Sequence, residues 1–168
     1  LLSAGLIFWL LKRMVARQAQ LEQTVCETET QYQTLFTGMA EAIARCRVIY
    51  TTDEQPIDFE YLDVNPAFEQ IMGLTRQQVI GRRVTELFGD AGVEYLQLFA
   101  HVVASGTPVH FEALFAPYAR HFSISAFRPV ADEFVLLFSD ITERKQAEEA
   151  RLFLASIVNS TNDAIIGK

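Results

Sequence analysis

The sequence predicts an α+β domain: five antiparallel strands with short helices on one face, flanked by long N- and C-terminal helices. Three observations predict it. The apolar pattern changes from helical to alternating near Ile43 and back to helical after Asn65. The resulting order is two strands, several short helices, then three strands. Both ends of this block run into polar segments free of Gly and Pro, which read as long helices.

The chain opens on "LLSAGLIFWLL", residues 1–11. Such a run is too short to span a bilayer, which needs about 20 residues. Trp9, Lys12, Arg13 and Arg17 at its boundary give it the character of the C-terminal end of a transmembrane helix. On that reading the basic cluster leaves everything downstream as a cytoplasmic domain of an inner-membrane protein. A signal-peptide core and a buried core helix are the alternatives, and no small-residue cleavage site follows. Residues 12–34 then form a linker helix. Leu11, Met14, Gln18, Leu21, Val25, Thr28, Tyr32 and Leu35 follow the a and d spacing of a coiled coil, weakened at Gln18 and Thr28, so a homodimer is expected. The rival is a plain amphipathic helix whose end lies on its own domain.

The domain itself is expected over 35–141. "IARCRVIY" and "IDFEYLDV" read as strands around the turn "TTDEQP". Asn65 is a good N-cap, Pro66 suits the first helical position, and Gly73 ends a short helix. Thr75 and Gln78 form a capping box, with Gly81 as terminator. "VTELFGD" is one more helical turn, and "GVEYLQLFAHVVASG" is a longer helix closed by Gly106. Strands follow at "PVHFEALFA", "RHFSISAFRPV" and "EFVLLFSDI". Phe111, Ala113 and Phe115 alternate with Glu112 and Leu114, and Phe122, Ile124 and Ala126 alternate with Ser123, Ser125 and Phe127. Apolar residues therefore occupy both sheet faces. One covers the helices. The other needs a partner, either the preceding helix end at Tyr32, Leu35 and Phe36 or a second subunit.

The last strand passes into the last helix with no Gly or Pro between them, through "FSDITERKQAEE". Asp140 and Glu143 fit a capping box, Thr142 offers a second cap, and Arg144 lies four residues past Asp140, at ion-pair spacing. A displacement of the strand would then be carried into a signalling helix at 142–156. Beyond it, "IVNSTNDAIIGK" at 157–168 resembles "LFTGMAEAIARC" at 35–46, which predicts the start of a second copy of the domain.

The net charge of −7 argues against nucleic acid as a partner, because neutralising phosphates needs a basic face. Cys26 and Cys46 match neither a metal-ligand spacing nor a disulfide framework. Cys46 reads as a core residue rather than a redox sensor.

The stretch "YLDVNPAFEQIMGLTRQQVIGRRVTELF" together with "LLFSDITERKQAEE" resembles the PAS family. The resemblance implies a sensor module within a larger signalling chain, such as a sensor histidine kinase of a two-component system or a cyclic-dinucleotide protein. No His-box, "GGDEF"-like run or nucleotide loop is present, so this chain is not expected to be an enzyme. The resemblance also implies an internal pocket, for which the candidates are Tyr61, Phe68, His101, Phe111, Ser123, Ser125 and Arg128. Asp140, Thr142 and Arg144 are the candidate signal relay. Haem is not expected, because the "LFAHVVASG" context of His101 lacks a haem signature. Photoactive flavin needs a Cys just after Asn65, where this sequence has Pro66. His110 and His121 lack a third ligand of clear spacing, so no metal is expected. The expectation is no cofactor, with a small organic ligand as the alternative. Two functions follow: a sensory relay passing its signal to a downstream PAS unit and output domain, or a ligand-free dimerisation spacer.

Overall fold

The structure, a computed structural model, describes residues 13, 14, 17 and 29–165, with side chains as far as 157. The chain divides into two units at Met39 and Ala40. In the first, residues 29–38 form a helix, α1. Tyr32 and Phe36 lie one turn apart on it, with their rings stacked at 5.4 Å. Met14, Tyr32 and Leu35 of the expected seam are exposed. The remaining seam positions and the apolar run at 1–11 lie outside the described residues. Among the described residues no helix is long and apolar enough to cross a membrane.

The second unit is built on a five-stranded antiparallel sheet. Its strands are β1 (Ala42–Tyr50), β2 (Pro56–Val64), β3 (Val109–Phe115), β4 (Arg120–Phe127) and β5 (Glu133–Asp140), in the spatial order β2-β1-β5-β4-β3. Between β2 and β3 run α2 (Pro66–Met72), α3 (Arg76–Val79), α4 (Val84–Phe88), a 3₁₀ turn at Gly89–Val93 and α5 (Leu96–Ser105). A long helix, α6 (Thr142–Ile165), follows β5. The five strands and the short helices between β2 and β3 are those that the alternating and helical patterns predict. α6 continues as one helix beyond residue 157, where the sequence repeat suggests a new unit, and the side chains of that stretch lie outside the described residues.

Register sorts the side chains into two faces. Ala42, Ala44 and Cys46 of β1 pair with Phe138, Leu136 and Phe134 of β5. Ile124 and Ala126 of β4 continue the rows of Phe138 and Leu136, Phe111 and Val109 of β3 extend them, and Ala113 of β3 pairs with Phe122. This inner face meets α2, α4 and α5. Phe134, wholly buried, anchors it: its ring lies 5.1 Å from Phe99 and 5.3 Å from Phe59. Full burial of one such ring contributes about 1.5–3 kcal/mol. The opposite parity faces outward. Ile43, Leu137, Ser125 and His110 form one row across four strands, and Ser139, Ser123 and Glu112 form another.

Asn65 ties the middle of the fold to its beginning. It is fully buried, and its Oδ1 accepts from the backbone N–H groups of Phe68 and Ile43 at 3.0 and 2.9 Å. Its Nδ2 donates to Glu41 O at 2.9 Å. The N-cap that starts α2 therefore also bolts it to the first residues of β1. Gly92 packs so closely on α4 that an added Cβ would lie 2.5 Å from Val84 Cγ2.

Candidate functional site

Between the inner sheet face and the helices lies an apolar cavity of about 80 Å³. β2 lines it with Phe59 and Tyr61, α2 with Phe68 and Met72, α4 with Val84 and Phe88, and α5 with Phe99. Ala113 and Phe115 of β3, Phe122 and Ile124 of β4, and Leu136 and Phe138 of β5 complete the sheet side, with Ala91, Gly92 and Tyr95 closing one end. No charged side chain is among them. The aromatic rings meet edge to face or stacked at 5–6 Å, as at Tyr61–Phe68 (5.7 Å) and Phe122–Phe138 (5.3 Å). The volume falls well below the ~300–1,000 Å³ of pockets for drug-sized ligands. A haem or a flavin fits only if several of these rings move.

Two tyrosines, Tyr61 and Tyr95, are the polar side chains of this wall. Tyr61 is only 5% exposed. Burial pushes its phenol well above the usual tyrosine range, and the neighbouring Cys46, Tyr118 and Asp58 push the same way. It stays neutral. Tyr118 donates to Met72 O at 2.8 Å.

A second, polar site surrounds the start of α6. The Asp140 carboxylate accepts from the Thr142 N–H at 2.9 Å, and Thr142 Oγ1 accepts from the His121 N–H at 2.9 Å. Ile141 N–H donates to His121 O at 2.8 Å. Burial pushes the Asp140 pKa up, but the Thr142 hydrogen bonds and the charge of Arg120 outweigh it, so the group lies below its ordinary value. Arg120 is the unforeseen member. Its guanidinium lies 3.4 Å from Asp140 Oδ2 and donates to Ile71 O, in the last turn of α2, at 3.2 Å. A cation there also complements the carbonyl end of that helix.

Arg144 does not pair with Asp140, as the four-residue spacing suggested. It pairs with Glu112 of β3, which also holds Lys145 Nζ at 2.6 Å. Hydrogen bonds from Lys145 and then Arg144 lower the Glu112 pKa from the ordinary 4.5 to about 2. α6 begins at Thr142, with Ile141 O accepting from the Lys145 N–H, one residue later than an Asp140–Glu143 capping box requires. That shift turns Arg144 toward the sheet edge.

The pocket candidates divide. Tyr61 and Phe68 line the cavity. Phe111 stands beside its wall, 4.9 Å from Tyr95. Ser123 and Ser125 lie on the outer face, where Ser125 Oγ meets His110 Nδ1 at 2.9 Å. His101 is exposed on α5. Arg128 donates to Val103 O at 2.7 Å and caps the C-terminal end of α5. Among the described residues no cluster of three or more metal-ligating side chains occurs.

A family model described as PAS fold matches residues 56–146, more than half of the chain. The chain belongs to the PAS family. Members are typically sensory, non-catalytic modules, and this chain is not an enzyme. Its fold is similar to that of an RNA-binding light-oxygen-voltage receptor, at 18% identity and a TM-score of 0.54, covering 77% of this chain and 38% of that one. Two further likenesses are weaker. A domain of an HTR-like protein from Haloarcula marismortui matches at 21% identity and a TM-score of 0.47, covering 62% of this chain and all 100% of that one. A domain of the sensory box sensor histidine kinase/response regulator from Geobacter sulfurreducens matches at 17% and 0.49, covering 67% and 94%. No curated protein matches.

Proposed function

We propose that this PAS domain is a sensory relay, which passes a change at its cavity or at its N-terminal helix into α6 and on to a downstream unit. One observation carries the reading. α2 walls the cavity with Phe68 and Met72, and its last turn is tied through Arg120 to Asp140, whose carboxylate holds the first N–H of α6. A shift of α2 therefore acts on the cap of α6 directly. The backbone ties of His121 to Ile141 and Thr142 leave no soft loop to absorb it. The links are single hydrogen bonds and an exposed ion pair, worth about 1 kcal/mol or less each. That matches typical allosteric couplings of about 1–3 kcal/mol, so α6 is shifted rather than released.

The apolar run at 1–11 with its basic flank supports a membrane anchor for the parent protein, with this domain on the cytoplasmic side. Exposed Phe153, Leu154 and Ile157, at three- and four-residue spacing on α6, support pairing with a second copy. The repeat at 157–168 supports a second PAS unit as the immediate recipient of the signal. A ligand-free dimerisation spacer is the second reading, favoured by how nearly the domain's own rings fill its cavity.

The test is Arg120→Gln in the parent protein. The domain should keep its fold by circular dichroism while the output loses its dependence on stimulus. An unchanged response in the folded variant sinks the relay.

A further inference from the structure

We propose that the turn between β3 and β4 is a strained latch on α2. With Ala119 left-handed, Tyr118 and Arg120 are clipped onto the end of that helix and connect it to α6. With Ala119 relaxed, both let go together and the connection opens. This inference rests on the relay reading above and names how that relay is switched.

Three observations meet at this turn. The first is what α2 needs. The last carbonyls of a helix have no partner within it. Gly73, left-handed at φ 67, returns its N–H to Glu69 O, which leaves the carbonyls of Ile71 and Met72 to be filled from elsewhere. The second is what the turn supplies. Tyr118 donates its hydroxyl to Met72 O at 2.8 Å, and Arg120 donates its guanidinium to Ile71 O at 3.2 Å. Two neighbouring carbonyls are thus filled from a single turn far along the chain. The third is the residue between the two donors. A 3₁₀ turn at Ala116–Tyr118 ends in Ala119 at φ 49, ψ 39. That backbone crowds the Cβ of any residue except glycine, so an alanine holds it only while its surroundings compel it. The compulsion comes from the two donors on α2 and from the Tyr118 ring, stacked on Phe115 at 5.9 Å and edge-on to Phe88 at 6.2 Å. Strain and grip therefore oppose each other. A loss of grip on α2 lets Ala119 relax, and a relaxed Ala119 carries both flanking side chains off the helix. Such an element has two discrete arrangements. Each hydrogen bond of the grip is individually weak, so the open form is a minor conformer, at about 0.1–10% of the population. Because Arg120 also lies 3.4 Å from Asp140 Oδ2, opening separates α2 from the cap of α6.

Relaxation-dispersion NMR of the 168-residue chain reads this equilibrium directly, because both forms are folded. The amides of Ala119 and Arg120 in the turn, and of Gly73 and Leu74 after α2, should exchange on the microsecond-to-millisecond scale with one shared rate and one shared population. Ala119→Gly removes the strain and keeps both donors. It should lower the open population about 3- to 5-fold. Tyr118→Phe removes one hydrogen bond and keeps the ring. It should raise the open population about 5-fold, at the turn and after α2 alike. Absence of exchange in both the wild type and Tyr118→Phe would make the turn a fixed strut and overturn the latch. Exchange in the turn at a rate different from that of Gly73 and Leu74 would overturn the joint release. An open population in Ala119→Gly equal to or above that of the wild type would overturn the role of strain. The relay is read separately, by Arg120→Gln in the parent protein. An output indifferent to that substitution would sink the relay and leave a concerted opening of the turn standing.

Discussion

The cavity and the α6 junction lie at opposite ends of one energy scale. The cavity is aromatic and uncharged, and its walls are buried or half-buried side chains of the core. The junction is a mesh of exposed or half-exposed polar groups: Arg120, Asp140, Thr142, Glu112, Arg144 and Lys145. Stability resides in the first region and the second contributes little, so the second can be rearranged without unfolding the domain. Sequence neighbours can belong to different regions. In β3, Ala113 and Phe115 face the cavity while Glu112, next to Ala113, and its partners on α6 belong to the junction.

The largest expected effect tests the stability half of this contrast. Phe134→Ala should cost about 3–5 kcal/mol and lower the melting midpoint by well over 10 °C, given about 4–8 °C per kcal/mol in a domain of this size. A thermal melt showing a drop of only a few degrees would mean that the core is more plastic than its packing indicates. Gly92→Ala comes next. Its Cβ collides with Val84 side-chain and backbone atoms, and overpacking of this kind costs about 1–3 kcal/mol. Denaturant unfolding with an unchanged midpoint would show that the 3₁₀ turn yields freely. At the junction the expected loss is smaller and of a different kind. Thr142→Ala removes the acceptor for the His121 N–H, at about 1 kcal/mol. It should move the melt by a few degrees and should raise amide exchange in the first turn of α6; exchange at the wild-type rate would make the cap redundant.

The smallest effect is the pH response of Glu112. Its folded pKa of about 2 lies below the ordinary 4.5, so its clasp on Lys145 and Arg144 is fully present above the ordinary value. That contribution is lost as pH falls through the window from about 4.5 to about 2. A carboxyl titration by NMR should find Glu112 near the lower limit, and Lys145→Met should move it back toward 4.5. A wild-type Glu112 already titrating at 4.5 would show that α6 is not held at the β3 edge.

The sequence made most of the fold legible because strand parity and helix caps are local signals. Phe122, Ile124 and Ala126 announce a buried face without knowledge of what covers it, and Asn65 announces a helix start. Parity also carried information about the pocket that residue type obscured. Ser123 and Ser125 share parity with His121 and must face away from Phe122 and Ile124. Tyr61 shares parity with Phe59 and faces in. The junction was less readable, because its partners are chosen by register between distant strands. Spacing within one helix pointed Arg144 at Asp140. The β3–β4–β5 pairing instead brings Glu112 to Arg144, and Arg120 to Asp140. Nothing local marks Arg120 as a link to α2, since Ile71 lies 49 residues earlier.

The central claim is that a change at the cavity reaches α6 through Arg120 and Asp140. Its most direct measurement is amide hydrogen exchange at residues 142–148 in the wild type, in Met72→Ala, in Arg120→Gln and in the double variant. Met72 lines the cavity from α2, next to the Ile71 carbonyl that Arg120 ties to Asp140, so its truncation disturbs that wall. The expected result is that Met72→Ala alters exchange in the first turn of α6 in the wild-type background and leaves it unaltered in the Arg120→Gln background. An equal α6 response in both backgrounds would contradict the claim.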